Sequence, residues 1–519
     1  MKHYSLVILF FFSILTARAQ TPGLVAKVMK NDKFGLAQTN GKLLVNIQFD
    51  NIDVFNDDMA MVQKEGLYGF INKNGVVVVQ PQYEEAFNFY DGIGCVRKEG
   101  KYGFIDKTGA LIVPCQFDKV SNFNNPLKTV QMGDKWGFCD KTGNLVIPAK
   151  YDYVKTFSEG ISAVNMGGKM AGENAVQGGK WGYIDKSGKM VIAPNFEDAW
   201  SFTSDGLAIV KKQGKYGYID KTGKLVIPAS YVACSNFNNG GLASVQKEGG
   251  FGLINRQGKL INPQLFTAVG TTFVDDCLEI EIGKKWGFID KTGKIIVPAT
   301  FDEVKHFTNG LALVKKANKF GYIDKTGKQV ILCAYIEAAP FLDNGLAAVS
   351  VGNRPTTPTS TTPPKPGSKP APTTPMERKW GFIDKTNAKI IPTIYDQVSP
   401  EFDNGLALAV KNGLSGFIDP TGKEVIAFKY DDAHDFGEGL AAISLGGKWG
   451  FINQTGVMVV KPAFEDVKDF NNGFAAVSKN SLWGFIDKTG KVIIPIQYGS
   501  VEDFININKP AGKGGSDED

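Results

Sequence analysis

The chain has 519 residues, 43% hydrophobic, 21% charged and 11% aromatic, which excludes an intrinsically disordered protein and leaves ample material for a core. Its 58 Lys and Arg against 53 Asp and Glu give a net charge of +5, too even to point to nucleic acid or an anionic membrane as partner. Glycine is in excess at 60 residues, near 12% against about 7% in average usage, whereas only 3 histidines are present.

In chain order, the first element is a leader. Lys2 precedes the apolar stretch Leu6 to Leu15, broken only by Ser13, and Ala17-Arg18-Ala19 fits a small-x-small cleavage site. Residues 1–19 are therefore expected to be a signal peptide. The stretch is short for a bilayer and no later segment is long and apolar enough, so no transmembrane segment is expected. The mature chain is expected to be exported, to the periplasm, the cell surface or the medium. With Lys2 and Arg18 removed, 56 basic residues face 53 acidic ones.

From residue 24 onward one phrase recurs. Lys135-Trp136-Gly137-Phe138 is echoed at Trp181-Gly182, Trp286-Gly287, Trp380-Gly381, Trp449-Gly450 and Trp483-Gly484. Copies with Phe or Tyr before the glycine are Phe34-Gly35, Tyr68-Gly69, Tyr102-Gly103, Tyr216-Gly217, Phe251-Gly252 and Phe320-Gly321, and Leu414-Ser415-Gly416 has lost the aromatic. Successive glycines lie 34, 34, 34, 45, 35, 35, 35, 34, 60, 35, 34 and 34 residues apart, thirteen copies with two insertions. These residues resemble the WG-repeat family, named for its Trp-Gly dipeptide, over about Leu24 to Phe504. The resemblance implies a repeat scaffold, often exported, and carries over no catalytic residues.

One copy, Gly206 to Phe237, shows the expected elements. Leu207 to Val210, Tyr216 to Ile219 and Leu225 to Ile227 are short runs rich in branched and aromatic residues, bounded by turn residues, and read as strands. Asp220-Lys221-Thr222-Gly223 suits a type I turn ending in a left-handed glycine with a G1 bulge, making the last two runs an antiparallel hairpin. The stretch after Pro228, with its two aromatics, reads as the crossover to the next copy. No helical periodicity persists beyond a turn, so the fold is expected to be all-β.

A unit of this size cannot bury its own apolar face, so copies must stack. The Trp-Gly pairs named above are expected to be the repeat core, the glycine admitting a close neighbour. A Trp286→Ala truncation is expected to cost about 3–5 kcal/mol if that ring is buried. Three evident strands per copy and thirteen copies favour an open superhelical, solenoid-like array. Closed β-propeller-like rings are the alternative.

The insertions near 167–178 and at 354–376 fall in one slot, between the Ala-Val run and the next Lys-Trp-Gly. The second holds eight Pro and seven Thr between Pro355 and Pro375, an extended linker expected to act as a hinge between repeats 1–9 (24–353) and repeats 10–13 (377–504). Such a linker is also a candidate for glycosylation. Residues 505–519 are expected to form a disordered tail.

Chemistry-bearing residues are sparse. Cys95, Cys115, Cys139, Cys234, Cys277 and Cys333 occupy slots that other copies fill with small apolar residues, which favours free buried thiols over a disulfide framework. Asp431, Asp432, His434, Asp435 and Glu438 cluster in one crossover but read as a solvated acidic turn, and no metal or cofactor is expected. His306 is the other mature histidine. The acids Asp118, Asp152, Glu197, Asp302, Asp396 and Glu465 recur at one repeat position, as a structural slot does, and no enzyme is expected. The function expected is an exported scaffold binding a protein or envelope partner. A carbohydrate or cell-wall binding module, stacking sugars on the aromatics, is the alternative. A hydrolase with one divergent site, near Ser415, is the third reading.

Overall fold

The computed structural model describes residues 23–121, 123–172, 175–353 and 377–509. The expected signal peptide, the Pro/Thr segment 354–376 and residues 510–519 lie outside them. The described chain is all-β, folded into thirteen consecutive antiparallel sheets. We number these blades 1–13 by the glycines Gly35, Gly69, Gly103, Gly137, Gly182, Gly217, Gly252, Gly287, Gly321, Gly381, Gly416, Gly450 and Gly484, with strands a to d in each.

Blade 6 shows the local logic. Its strands are Asp198–Ala199, Leu207–Lys212, Lys215–Asp220 and Leu225–Tyr231, hydrogen-bonded in that order. The expected c–d turn is present. Asp220 Oδ1 accepts the N–H groups of Thr222 (2.9 Å) and Lys224 (3.2 Å) and the Thr222 hydroxyl (2.5 Å), and Gly223 sits at φ 82°. Gly217 is required for a different reason. A Cβ there would lie 2.6 Å from the Ile227 carbonyl oxygen, because strand d bends across it, shifting register between the Tyr216 and Tyr218 pairings. The bend carries the chain out of its blade. After Tyr231 a single residue, Val232, donates its N–H to the Gln246 carbonyl at 2.9 Å and leads into strand a of blade 7, Ala233–Cys234.

That fourth strand is the element sequence reading lacked. Two residues long in most blades, it lies below the length at which a hydrophobic pattern registers. Blade 7 departs from the rest: it keeps strand a (Ala233–Cys234), but its strand d reduces to the isolated bridges Phe251↔Phe266 and Ile254↔Leu260.

The interior lies between blades rather than within them. At the blade 5–6 junction Tyr183, Ile192 and Phe196 meet Ala208, Val210 and Ile219. The aromatic just after each Trp-Gly glycine is the most buried ring. Phe138, Tyr183, Phe288 and Tyr322 have no exposed surface, and each packs on the crossover Phe beyond it, as in Phe288–Phe307 (4.8 Å) and Tyr322–Phe341 (4.7 Å). The Tyr members place their hydroxyls on crossover carbonyls, Tyr183 on Trp200 at 2.8 Å and Tyr218 on Ser235 at 2.8 Å, so no buried hydroxyl is orphaned there. The Trp column differs from expectation: Trp136 and Trp181 are buried, but Trp286, Trp380, Trp449 and Trp483 are half-buried. Their rings lie one step nearer the blade edge than the ring after the glycine, so the 3–5 kcal/mol expected for Trp286→Ala belongs to Phe288.

The ring is closed, not an open array. Strand b of blade 1 (Leu24–Lys30) pairs with Ser500–Val501 and Ile505–Asn506 from the far end of the chain. Leu24, Ala26 and Val28 share a core with Phe485, Tyr498 and Phe504. Thirteen blades thus have thirteen inter-blade cores among the described residues, where an open array would have twelve. Closure requires every blade to present a complete interface on both sides, and the overlooked strand a supplies one of them.

Two boundaries move accordingly. The segment 354–376 is not a hinge between two repeat blocks. It is inserted in the b–c hairpin of blade 10, whose strands Leu346–Asn353 and Glu377–Asp384 pair along their length. Sheet pairing also continues past residue 504, through Ile505 and Asn506, where a tail was expected to begin. Both insertions share one slot, since the extra residues of blade 5 lengthen its b–c hairpin to Ile161–Met170 and Val176–Asp185.

Candidate functional site: an aromatic band around the ring

Strand register places one residue from each strand of a blade in a row. In blade 6 the row is Asp198, Lys211, Tyr216 and Tyr231, and in blade 5 it is Tyr153, Asn165, Trp181 and Phe196. The c and d members stay aromatic in nearly every blade. The a and b members do not: they are Glu85 and Arg97 in blade 3, Ala268 and Glu281 in blade 8, Gln397 and Val410 in blade 11. Many are half-exposed. Where c carries Trp in blades 10, 12 and 13, b carries a buried Ser, at Ser350, Ser444 and Ser478, so the wide ring fits beside a small neighbour. Thirteen such rows make a band of constant shape and changing chemistry. It was missed because a and b vary from copy to copy, and variation among aligned copies was its only sequence signal.

The blade edges are occupied by ties between neighbours. The recurring acids follow strand d, and most bridge two blades, whereas Glu197 accepts only from the Gln213 and Gly214 N–H groups of blade 6. Asp118 binds the Lys101 ammonium of blade 3 and accepts the Gly133 N–H of blade 4 at 2.8 Å. Asp302 joins Lys285 to the Ala317 N–H (2.8 Å), and Asp396 joins Lys379 to the Gly413 N–H (3.0 Å). The lysine hydrogen bond, then the backbone N–H, holds the Asp118 and Asp396 carboxyls below the usual range. On the opposite edge, the lysine of the c–d turn reaches back to the preceding blade: Lys107 to Asp57 (2.6 Å), Lys325 to Asp275 (2.7 Å) and Lys488 to Glu438 (3.1 Å).

The remaining candidates disperse. All six cysteines are free, and burial pushes the Cys139 thiol up to about 12 and those of Cys234 and Cys277 to about 11. The crossover cluster does not converge. Asp431 accepts the Gly447 N–H, Asp435 accepts from the Ser399 hydroxyl, Glu438 holds Lys488, and His434 Nδ1 lies 2.8 Å from Asp469. That hydrogen bond to Asp469 raises the His434 pKa. Among the described residues no group of His, Cys, Asp and Glu has metal-site geometry. His306 pairs with Glu279, in a different blade from His434. Ser415 is buried in the Trp slot. Its loss of ring is offset across the sheet, where Phe428 stands at the small-residue slot filled by Ala229 in blade 6 and packs within 5.7 Å of Tyr395.

Cavities open on the ring at the seam and between blades 5 and 6. One of about 420 Å³ lies at the seam, lined by Leu24, Gln38, Lys73 and Asn508 among others. The second, about 380 Å³, lies between the rows of blades 5 and 6, against Tyr153, Trp181, Asp198 and Lys211.

A closed ring of small antiparallel blades, each with an aromatic-glycine pair on its third strand, defines a β-propeller-like repeat protein. The chain belongs to the WG containing repeat family, whose model matches twelve stretches: 34–68, 68–102, 102–136, 136–169, 181–216, 216–250, 286–320, 320–354, 380–414, 416–449, 449–483 and 483–506. The unmatched stretch after 250 runs to 285 and holds the reduced strand d of blade 7 together with strands a and b of blade 8.

No curated protein matches the chain. Among solved structures it is similar to a eukaryotic initiation factor (11% identity, 72% of this chain and 95% of that one, TM-score 0.24). It is also similar to the extracellular domain of a hybrid two-component system of B. thetaiotaomicron (8%, 94% and 78%, TM-score 0.21) and to AztD of Citrobacter koseri (12%, 59% and 92%, TM-score 0.24). Scores this low carry no argument about function.

Proposed function

We propose that this protein is a non-enzymatic scaffold, exported by its leader, that binds another protein of the envelope or cell exterior through the aromatic band. The observation that carries the reading is the division of labour within each row. Aromatics at c and d keep the shape, and the a and b residues change the chemistry blade by blade. That is how one repeat makes an extended, specific surface. Both blade edges are already committed to inter-blade ties, which leaves the band as the surface free to specialise. The same ties support a reading without catalysis, since the recurring acids are bound to lysines and backbone N–H groups. Among the described residues no helix is long and apolar enough to cross a membrane, and the export step rests on the residue pattern of positions 1–19.

The test is cross-linking and co-purification of the mature protein from envelope fractions, comparing wild type with a band variant (Glu85→Lys, Glu303→Lys, Asp466→Lys) and an edge variant (Lys224→Glu). Loss of the same partner from the band variant alone is expected. Retention of every partner by the band variant, or hydrolytic turnover abolished by Ser415→Ala, would overturn the proposal.

A further inference from the structure

The junction of blades 5 and 6 differs from the other junctions, and the difference is built by the insertion. The lengthened b–c hairpin of blade 5 bends at Gly178 and Gly179, both at positive φ (75° and 68°), and Asn165 Nδ2 donates to the Gly178 carbonyl at 3.2 Å. A Cβ would not fit at Gly179, where it would lie 2.4 Å from Asn165 Oδ1. The bend lays Val176 onto the blade 5–6 core rather than into solvent. Val176 and Ala175 thereby wall a cleft of about 380 Å³.

Its floor is aromatic. Tyr153 stands edge-on between Trp136 and Trp181, with centroids 5.9 and 6.1 Å away. The facing wall comes from blade 6: Glu197, Asp198 and Lys211, with Lys155 at the rim 5.7 Å over the Trp181 ring. Neither lysine forms an ion pair among the described residues, and each lies over an aromatic ring, Lys211 over Tyr216 at 5.3 Å. Glu197 uses its carboxylate on the N–H groups of Gln213 and Gly214, and Asp198 receives the Ala199 N–H and the Tyr216 hydroxyl. Each carboxylate retains lone pairs for a further donor.

Two ammonium and two carboxylate groups cancel, so the cleft does not select an ion. Together they offer donors and acceptors side by side, the complement of neighbouring hydroxyls, each of which both donates and accepts. An aromatic floor complements an apolar C–H face. The volume falls within the range of small-molecule sites, about 300–1,000 Å³. We propose that the blade 5–6 cleft binds a neutral saccharide unit, its C–H face on the half-buried Tyr153, which the buried Trp181 backs, and its hydroxyls shared between Asp198, Glu197, Lys155 and Lys211. The site is a single cleft, not the whole Trp column, and it does not depend on the scaffold reading.

The test is calorimetric and Trp-fluorescence titration of the mature protein with a panel of neutral hexose and N-acetylhexosamine di- and trisaccharides. Thermal melts confirm that each variant folds. At least one sugar is expected to bind in the micromolar to millimolar range, with little change on adding salt, as suits an uncharged ligand. Asp198→Asn and Tyr153→Ala are expected to weaken it at least tenfold, whereas Asp466→Asn, at the same position of blade 13, leaves it unchanged. Absence of binding by every sugar at millimolar concentration would overturn the proposal. So would binding that survives Asp198→Asn and Tyr153→Ala in folded protein, or binding that salt abolishes.

Discussion

Blades 1 and 2 have the same four strands, yet one is made by a continuous chain and the other by its two ends. In blade 2, strand a (Asn51–Ile52) leads through Asp57 and Asp58, both at positive φ, into strand b (Met59–Lys64). In blade 1 that a–b connection does not exist. Strand a is Ser500–Val501, strand b is Leu24–Lys30, and the place of the turn is taken by a second pairing, Ile505 with Val25 and Asn506 with Leu24. Hydrogen bonds Gly499 N–H to Met29 (2.9 Å), Glu502 N–H to Lys27 (2.9 Å) and Ile507 N–H to Gly23 (2.8 Å) complete it. The blade tolerates the break because its stability comes from the cores on either side. What a covalent turn supplies elsewhere by proximity, the seam supplies by a longer ladder.

The largest expected effect follows from that difference. Removing residues 500–519 strips blade 1 of strand a and exposes the core shared by Val28 and Phe485. A large fall in melting temperature and in cooperativity is expected, read by calorimetry. A circular permutant that joins the native ends and opens the chain between Asp57 and Asp58 should melt close to wild type. If truncation were harmless and the permutant unfolded, the equivalence of the two blades would be broken.

Next come the rings. Phe504→Ala at the seam and Phe288→Ala at an internal junction should each cost about 3–5 kcal/mol in denaturant titrations, whereas half-buried Trp286→Ala should cost about 1–2 kcal/mol in proportion to the area it covers. A seam value well below the internal one would show that closure is weaker than the junctions it joins. Blade 11 offers a sharper case. Phe428→Ala alone should destabilise by about 1–3 kcal/mol, and Ser415→Trp combined with Phe428→Ala should recover part of that loss, since the pair restores the arrangement of the other blades.

The smallest effects are electrostatic. Asp118→Asn should cost about 0.2–1 kcal/mol, because its partners are solvent-accessible. Carboxyls held below their unfolded pKa, such as Asp118 and Asp396, contribute stability present above the unfolded value near 3.9 and lost as pH falls through the folded one. His434 has the opposite sign. Its raised pKa gives a contribution complete below the unfolded value near 6.5 and lost as pH rises through the folded one, and His434→Gln should remove that slope from a stability-against-pH series.

The repeat, its turn and its glycine were legible because each is forced by local chemistry. The left-handed φ of Gly223 suits Gly, with Asn387 (φ 69°) taking its place in blade 10, and only Gly fits beneath the bent strand at Gly217. The acid slot was legible too, since Asp118, Asp302 and Asp396 recur in register. Ring closure was not, because it depends on two-residue strands such as Asp198–Ala199, whose pairing is decided by the neighbouring blade rather than by their own side chains. The burial of Phe288 over Trp286 was hidden for a similar reason: both are large aromatics two positions apart on one strand, and the crossover Phe307 chooses between them. The band escaped notice because its specific members, such as Lys211 and Glu281, carry no recurring signature.

The closed ring is tested most directly by the distance between its ends. Lys27 Nζ and Glu502 Oε1 lie 3.0 Å apart across the seam. Nitroxides at positions 27 and 502 of the mature chain should broaden each other's continuous-wave spectrum strongly by dipolar coupling. A doubly labelled spectrum equal to the sum of the two singly labelled ones, in protein whose melt shows it fully folded, would mean the ends do not meet and the blades form an open array.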